Sequence, residues 1–378
     1  MKTVVIAAYA RTPFTPANKG ALARTRPDEM TGQLIKDLVK KSKIDPALIE
    51  DVILGCAFPE GEQGFNMGRL VAFLAGLPRA TAGMTLNRFC GSSMQSIHIA
   101  AGNIQMGAGD AFICAGTESM SRVPMTGFNP MPHPELAERD PGAYMSMGET
   151  AENVAKKYNI SRDEQDMFAV ESHRKAVEAM QAGKLKDEIV PIKSPDGMVK
   201  EDGCPRPGTT KEGLVDLKPA FDQNGSVTAG TSPPLTDGAA ATLVCSLEFA
   251  EKHGLKPLAV VKSIAVSGCE PEIMGIGPVS ATKKALTRAG LTISDIDVIE
   301  LNEAFASQSI AVIRQLGIDV SKLNLDGGAI ALGHPLGATG ARITGKAAQL
   351  LNREGGKYAL ATQCIGGGQG IATILEAL

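Results

Sequence analysis

The sequence predicts an α/β protein built from two halves on one plan. Three observations carry this expectation: strands alternate with helices, two segments recur at nearly one offset, and one Pro/Gly-rich stretch interrupts the first half. Alternation of this kind builds sheets that are covered by helices on both faces. At 378 residues the chain exceeds the usual size of a single core, which agrees with two halves.

Residues 4–9 read as a buried strand, followed by the turn Arg11-Thr12-Pro13. Leu34, Ile35, Leu38 and Val39 recur at helical spacing. Residues 44–55 then read as a helix end, a turn and a strand. The second half repeats this plan, with a strand over 258–265, a helix over 281–289 and the same turn and strand over 293–301. Asp51 and Asp297 lie 246 positions apart (297 − 51), and the strands opening at Gly109 and Gly356 lie 247 apart (356 − 109). Two distant anchors sharing nearly one offset are what a duplicated fold predicts. By that offset Cys90 falls opposite position 336, close to His334.

Residues 119–221 break the pattern with Pro124, Pro130, Pro132, Pro134 and Pro141, an amphipathic helix over 162–181, and a polar run to Pro219. They read as a long inserted loop region that shapes a substrate entrance. Residues 237–246 return to an apolar strand and 249–256 link the halves, which therefore span 1–250 and 257–378.

Hydrophobic residues make up 43% and charged residues 21%, as in an ordinary globular protein. A net charge of -3 gives no bulk attraction to nucleic acid or an anionic membrane. With no Trp and only 4 Tyr, a stacking surface for bases is also excluded. The 7 cysteines are scattered without a CxxC pair, against a disulfide framework or a structural zinc site and for a reducing compartment. The first residues run straight into a strand without the apolar stretch of a signal peptide, and no segment is long enough to span a bilayer. A cytoplasmic protein is expected.

Three groups sit on tight, glycine-framed turns. Cys90 lies in Asn87-Arg88-Phe89-Cys90-Gly91-Ser92-Ser93-Met94, where a helix is expected to begin. Free N–H groups and the helix dipole at such an end favour a thiolate and bind an oxyanion. Cys364 precedes the run Ile365-Gly366-Gly367-Gly368-Gln369-Gly370, whose backbone can approach a ligand closely. Either cysteine alone reads equally well as a small buried core residue. His334 differs from the other histidines because Gly333 and Pro335 frame it in a loop. His98, His173 and His253 read as packing or surface residues, and His133 lies in the insertion. Asn302, in Asn302-Glu303-Ala304-Phe305-Ala306, ends the repeated strand, where ligand-contacting groups are expected. An Asn capping the next helix is the competing reading. No GxGxxG follows the first strand, so a dinucleotide site is disfavoured.

Along essentially its whole length the chain resembles the thiolase family. The resemblance rests on the Cys90 segment, Gly116-Thr117-Glu118-Ser119-Met120-Ser121, Met147-Gly148-Glu149-Thr150-Ala151-Glu152 and Val227-Thr228-Ala229-Gly230. It continues through the Asn302 segment, residues 327–342 around His334, and the Cys364 segment, in family order. It implies a five-layer αβαβα sandwich and a ping-pong reaction. Cys90 would carry the acyl group, His334 would activate it, and Cys364 would be the acid/base for the acetyl-CoA carbon and the CoA thiol. Asn302, through a water, would form one oxyanion hole with His334, and the N–H groups of Cys90 and Gly366 would form the other.

Arg206 matches a position that contacts CoA phosphates in relatives. Pro233 stands where members often carry a pantetheine-binding serine, with Ser232 adjacent. Met145-Ser146-Met147-Gly148 lacks the histidine typical of acetoacetyl-CoA-forming members, which points to a degradative 3-ketoacyl-CoA thiolase of fatty-acid β-oxidation. Coenzyme A and acyl-CoA would be substrates, with no permanently bound cofactor and no metal. A homodimer or homotetramer is implied, with a hydratase/dehydrogenase as a further partner. The alternatives are an acetoacetyl-CoA-forming acetyltransferase and a non-catalytic lipid carrier of the same fold. Decarboxylating ketoacyl synthases would need a second histidine where Cys364 stands.

Overall fold

The computed structural model describes residues 2–378. The first half contains β1 (Val4–Arg11), α1 (Pro27–Ser42), β2 (Asp51–Gly55), α2 (Met67–Leu74), β3 (Ala82–Leu86), α3 (Ser92–Met106) and β4 (Ala111–Ser119). After the insertion, which holds α4 (Met147–Lys157) and α5 (Arg162–Gln181), it closes with β5 (Thr236–Ser246). The second half runs β6 (Ala259–Gly268), α6 (Gly277–Ala289), β7 (Val298–Leu301), α7 (Ala306–Leu316), α8 (Leu336–Glu354), β8 (Tyr358–Ile365) and β9 (Gln369–Glu376).

The strands lie in the order β7-β8-β9-β6-β1-β5-β4-β2-β3, with Thr15–Pro16 pairing beside β5. Each half repeats the other within this order. β2 pairs parallel with β4, and β4, β5 and β1 follow antiparallel. In the second half β7 pairs parallel with β8, and β8, β9 and β6 follow antiparallel. Even β3 has a vestige, a single parallel bridge between Ile299 and Leu323. The halves join where β1 meets β6, through only Val5↔Val260 and Ile6↔Ala259.

Strand alternation sorts the core into layers. Val52 and Leu54 face α1 with Leu34 and Leu38, while Ile53 faces α3 with Ile97 and Ile104. In the second half Ala359, Ala361 and Ile365 face α8, and Leu360 faces α6 and α7. The layers are α1 and α2, the first sheet, α3 and α8, the second sheet, then α6 and α7. A helix covered on both sides cannot carry large side chains all round, which explains the small residues of α8. A Cβ on Gly340 would stand 2.2 Å from the Met94 nitrogen, and one on Gly345 would stand 2.2 Å from the Tyr9 ring.

The insertion holds more regular structure than a bare loop. Beside the expected α5 it forms α4, and both helices start on capping boxes, Ser146 with Glu149 and Ser161 with Glu164. Buried ion pairs fasten it to the body. Arg11 meets Glu188 at 2.6 Å and Asp202 at 2.6 Å, and Lys346 of α8 meets Glu188 at 2.9 Å and Asp326 at 2.6 Å. Among the described residues no helix is long and apolar enough to cross a membrane.

Candidate active site

Cys90 sits in a single 3-10 turn, Phe89–Gly91, that feeds into α3. Phe89 has φ +42°, a left-handed conformation that a bulky side chain rarely adopts. The turn is held from β8: Ile365 fills the space a side chain on Gly91 would need, and Gln363 Nε2 donates to the Cys90 carbonyl. Burial pushes the Cys90 thiol up to about 12, opposed by the backbone N–H groups of Gly366 and of Cys90 itself. Both N–H groups thus lie close enough to the sulfur to favour negative charge there.

His334 occupies the matching place in the second half. Each residue stands two positions ahead of a middle-layer helix, Cys90 before Ser92 and His334 before Leu336. The structural equivalent of Cys90 is thus position 334, two residues from the position the sequence offset indicates. The His334 N–H donates to Thr236 Oγ1 at 3.0 Å. Its Nδ1 lies 2.6 Å from Thr339 Oγ1, and that hydroxyl donates onward to the Pro335 carbonyl at 3.2 Å. With the hydroxyl proton committed there, Nδ1 carries the imidazole proton and Nε2 keeps its lone pair. Asn302 Nδ2 lies 3.3 Å from Nε2. Burial, then the positive charge of Arg342, lowers the His334 pKa to about 3, so the ring is neutral. Helix α7 begins at Ala306 with Phe305 at its N-cap, so Asn302 caps nothing. Its Oδ1 is buried without a protein partner.

Cys364 lies inside the end of β8, and the glycines beyond form the turn into β9, with φ +76° at Gly367 and +80° at Gly368. It packs with Met147, Val227, Met274, Ala304 and Phe305. Its pKa is pushed well up by burial, then by the neighbouring Cys90 and by Cys269.

Arg206 and Ser232 line one cleft together with His173, Thr209, Pro234 and Ile330. Ser232 Oγ donates to the Thr228 carbonyl at 2.8 Å, and the Arg206 N–H donates to His173 Nδ1 at 3.1 Å. His173 is thus no surface histidine. Burial, then Arg206, lowers its pKa to about 4, so it stays neutral and holds the Arg206 backbone. Pro233 is half-buried beside this cleft. His98 is buried, with Nε2 2.8 Å from Thr373 Oγ1, as a packing histidine should be.

Two buried carboxylates outside the sequence-derived set hold the His334 turn from either side. Glu118 accepts the N–H groups of Ala57 at 2.8 Å, Phe58 at 3.2 Å and Gly337 at 2.9 Å, and the Gln63 amide at 2.7 Å. Phe58 stacks near Phe89, and Asn87 Nδ2 donates to the Ala57 carbonyl at 2.9 Å. Glu118 therefore links the nucleophile's surroundings to the start of α8. Glu303 accepts from Ser172 at 2.6 Å, Asn324 at 2.8 Å and the Ile330 N–H at 3.1 Å. The one local signal for both is a carboxylate at the end of an apolar strand, Glu118 within the last two residues of β4 and Glu303 two residues past β7.

This arrangement can form an acyl thioester, move a proton off the nucleophile, and stabilise oxyanions at two places. The family model described as "Thiolase, N-terminal domain" matches residues 4–248, and "Thiolase, C-terminal domain" matches 255–377. A 3-ketoacyl-CoA thiolase of Bacillus subtilis (strain 168) is 49% identical over 389 residues, spanning 100% of both chains. Human mitochondrial 3-ketoacyl-CoA thiolase, solved in complex with CoA, superposes with a TM-score of 0.92 at 40% identity, covering 100% of this chain and 98% of that one. A Bacillus anthracis acetyl-CoA acetyltransferase gives the same TM-score of 0.92 at 39% identity, covering 100% and 99%. By fold, by sequence along its whole length and by its two matched family models, the chain belongs to the thiolase family.

Proposed function

We propose that this chain cleaves 3-ketoacyl-CoA with CoA, releasing acetyl-CoA and a shortened acyl-CoA, through a Cys90 acyl-enzyme. The observation that carries this reading is the setting of Cys90: it shares a buried cluster with Leu336, the first residue of the helix that His334 precedes, and Asn302 Nδ2 lies 3.3 Å from His334 Nε2. The B. subtilis and human relatives named above support the degradative substrate class.

Cys90 and His334 rest as thiol and neutral imidazole, so the proton leaves Cys90 in the step of attack. His334 Nε2 takes it as the sulfur bonds to the C3 carbonyl carbon. The N–H groups of Cys90 and Gly366 receive the developing oxyanion. The C2–C3 bond then breaks, and its electron pair forms the acetyl-CoA enolate, which His334 and Asn302 stabilise and Cys364 protonates. The Cys364 thiolate deprotonates incoming CoA, whose sulfur attacks the acyl group. Cys90 leaves as a thiolate and recovers its proton from His334. Arg206 and Ser232 bind the CoA side of the substrate in the cleft they share.

Incubation with acyl-CoA followed by mass spectrometry should place one acyl group on Cys90, and its absence would remove the enzymatic reading. The acetyltransferase superposes as well as the thiolase does, so fold does not choose between them. A panel of 3-ketoacyl-CoA substrates does: activity confined to the four-carbon member would make the chain an acetoacetyl-CoA enzyme.

The same reading takes 1–250 and 257–378 as its two halves and the working unit as a homo-oligomer. Edge strand β3 and helix α2 support this, because Phe65, Leu70, Phe73, Leu74 and Met84 are exposed on that side of the molecule. A monomer by light scattering at micromolar concentration would refute the assembly.

A further inference from the structure

Gln363 grips the nucleophile from behind. In the pleat of β8, Ala359, Ala361 and Ile365 face the middle layer, whereas Leu360 and Cys364 face the opposite side. Gln363 is in register with the first set, is completely buried, and donates through Nε2 to the Cys90 carbonyl. Its Oε1 is buried without a protein partner, so the amide orientation is set by Cys90 alone: a flipped amide would press oxygen against oxygen. Residues 363–366 therefore meet the nucleophile turn twice, at the Cys90 carbonyl through Gln363 and at the Phe89 ring beside Gly366, and carry Cys364 between the two contacts.

The nucleophile turn needs such a hold. Phe89 is left-handed immediately before Cys90, so the local backbone does not favour the observed conformation on its own. Fixing the Cys90 carbonyl fixes ψ at that residue, and with it the relation between the Cys90 side chain and its peptide planes. The Cys90 and Gly366 N–H groups lie on different strands of chain, so small rotations at Cys90 would pull them off a common target.

We infer that Gln363 is a positioning residue for acyl transfer, its amide holding the Cys90 peptide so that the two oxyanion donors converge. The inference rests on the thiolase reading above. Gln363→Met keeps the volume and removes the donor. It should slow both acylation of Cys90 and kcat by roughly 10- to 100-fold, with KM for CoA unchanged. Gln363→Glu adds a signature that packing alone does not give. Its carboxylate would face the Cys90 carbonyl oxygen, whereas its protonated acid would donate to it as the amide does.

The rate of Gln363→Glu relative to Gln363→Met should therefore climb as pH is lowered from about 8 to about 5.5. The titratable groups around this position (Cys90, Cys364, His334, His98 and Glu118) are common to both variants, so the ratio isolates position 363. Acylation is followed by rapid quenching and mass spectrometry. Should Gln363→Met fail to fold, the same pH ratio of Gln363→Glu to the parent decides. Parent-like acylation by Gln363→Met, or a ratio flat with pH, overturns the inference while leaving the parent's adduct in place. Absence of an adduct on the parent's Cys90 takes down the thiolase reading and this inference together.

Discussion

Cys90 and His334 hold the same place in two copies of one fold, two residues ahead of a middle-layer helix, yet their turns are secured differently. The cysteine turn borders the surface: Asn87 and Phe89 are exposed, Phe89 is left-handed, and the direct grip on Cys90 comes from neutral groups, Gln363 and backbone N–H donors. The histidine turn lies in a stretch buried from 326 to 348 and is held by carboxylates, Glu303 at Ile330 and Glu118 at Gly337, with hydroxyls at both ends of the His334 residue. The difference follows from the work each does. An acyl chain must reach and leave the cysteine, so its turn stays near solvent. In the proposed reaction the imidazole receives and returns a proton and binds the enolate, and deep fixation in one tautomer serves both tasks.

The hardest break in this comparison removes the covalent group. Cys90→Ala should abolish the acyl adduct and lower thiolysis by about 10⁴-fold or more. Because the two turns act as one unit, Cys90→Ala/His334→Ala should be little worse than Cys90→Ala alone. A double variant that loses the product of both single effects would show two independent devices. Next in size is Cys364→Ala. It should still be acylated at Cys90 by acyl-CoA but lose carbon–carbon cleavage by roughly 10²- to 10⁴-fold. Full turnover of a 3-ketoacyl-CoA by that variant would reassign its role.

A smaller effect sharpens the histidine side. Thr339 accepts the Nδ1 proton and so leaves Nε2 basic. Thr339→Val should free the ring to change tautomer and cut kcat by about fivefold, in line with one lost hydrogen bond of ~1 kcal/mol. KM for CoA should not move, since Arg206 and Ser232 lie in a separate cleft. An unchanged kcat would mean that Asn302 suffices to orient the ring.

The groups with backbone demands were legible in the sequence. Cys90, His334 and Cys364 stand beside glycines or prolines because their turns need those residues, and turn chemistry is local. The repeat was legible too, since its anchors mark the same strand start to within one residue: Asp51 opens β2 and Asp297 directly precedes β7. The offset drifts from 246 at those anchors to 244 at the catalytic turns (334 − 90) because the connections between strands differ in length. Glu118, Glu303 and Gln363 were hidden because their partners lie 219, 27 and 273 residues away, across layer contacts that no local pattern encodes. The same holds for His173, whose partner is the backbone of Arg206. Helix α4 is a different case: Ser146 and Glu149 form a capping box three residues apart, a signal present in the chain but masked by the surrounding prolines.

The smallest predicted effect separates burial from catalysis. His98 on α3 is as buried as His334, and burial lowers both to a pKa of about 3 from the ordinary 6.5. A histidine whose folded pKa is depressed contributes stability that is full above its unfolded pKa and is lost as pH falls through the window down to the folded value. Between pH 7 and 5 each such ring should cost about 2 kcal/mol of stability, at ~1.4 kcal/mol per unit below 6.5. His98→Gln keeps a partner for Thr373 and has nothing to protonate, so urea unfolding at the two pH values should show that much less acid loss than in the parent. Its thiolysis at pH 7 should stay within a factor of about two, because His98 faces Thr373 of β9 and not Cys90. Parallel stability curves would mean that His98 is already protonated in the fold. A large loss of activity without loss of stability would place a second histidine in the reaction and end the asymmetry between the two turns.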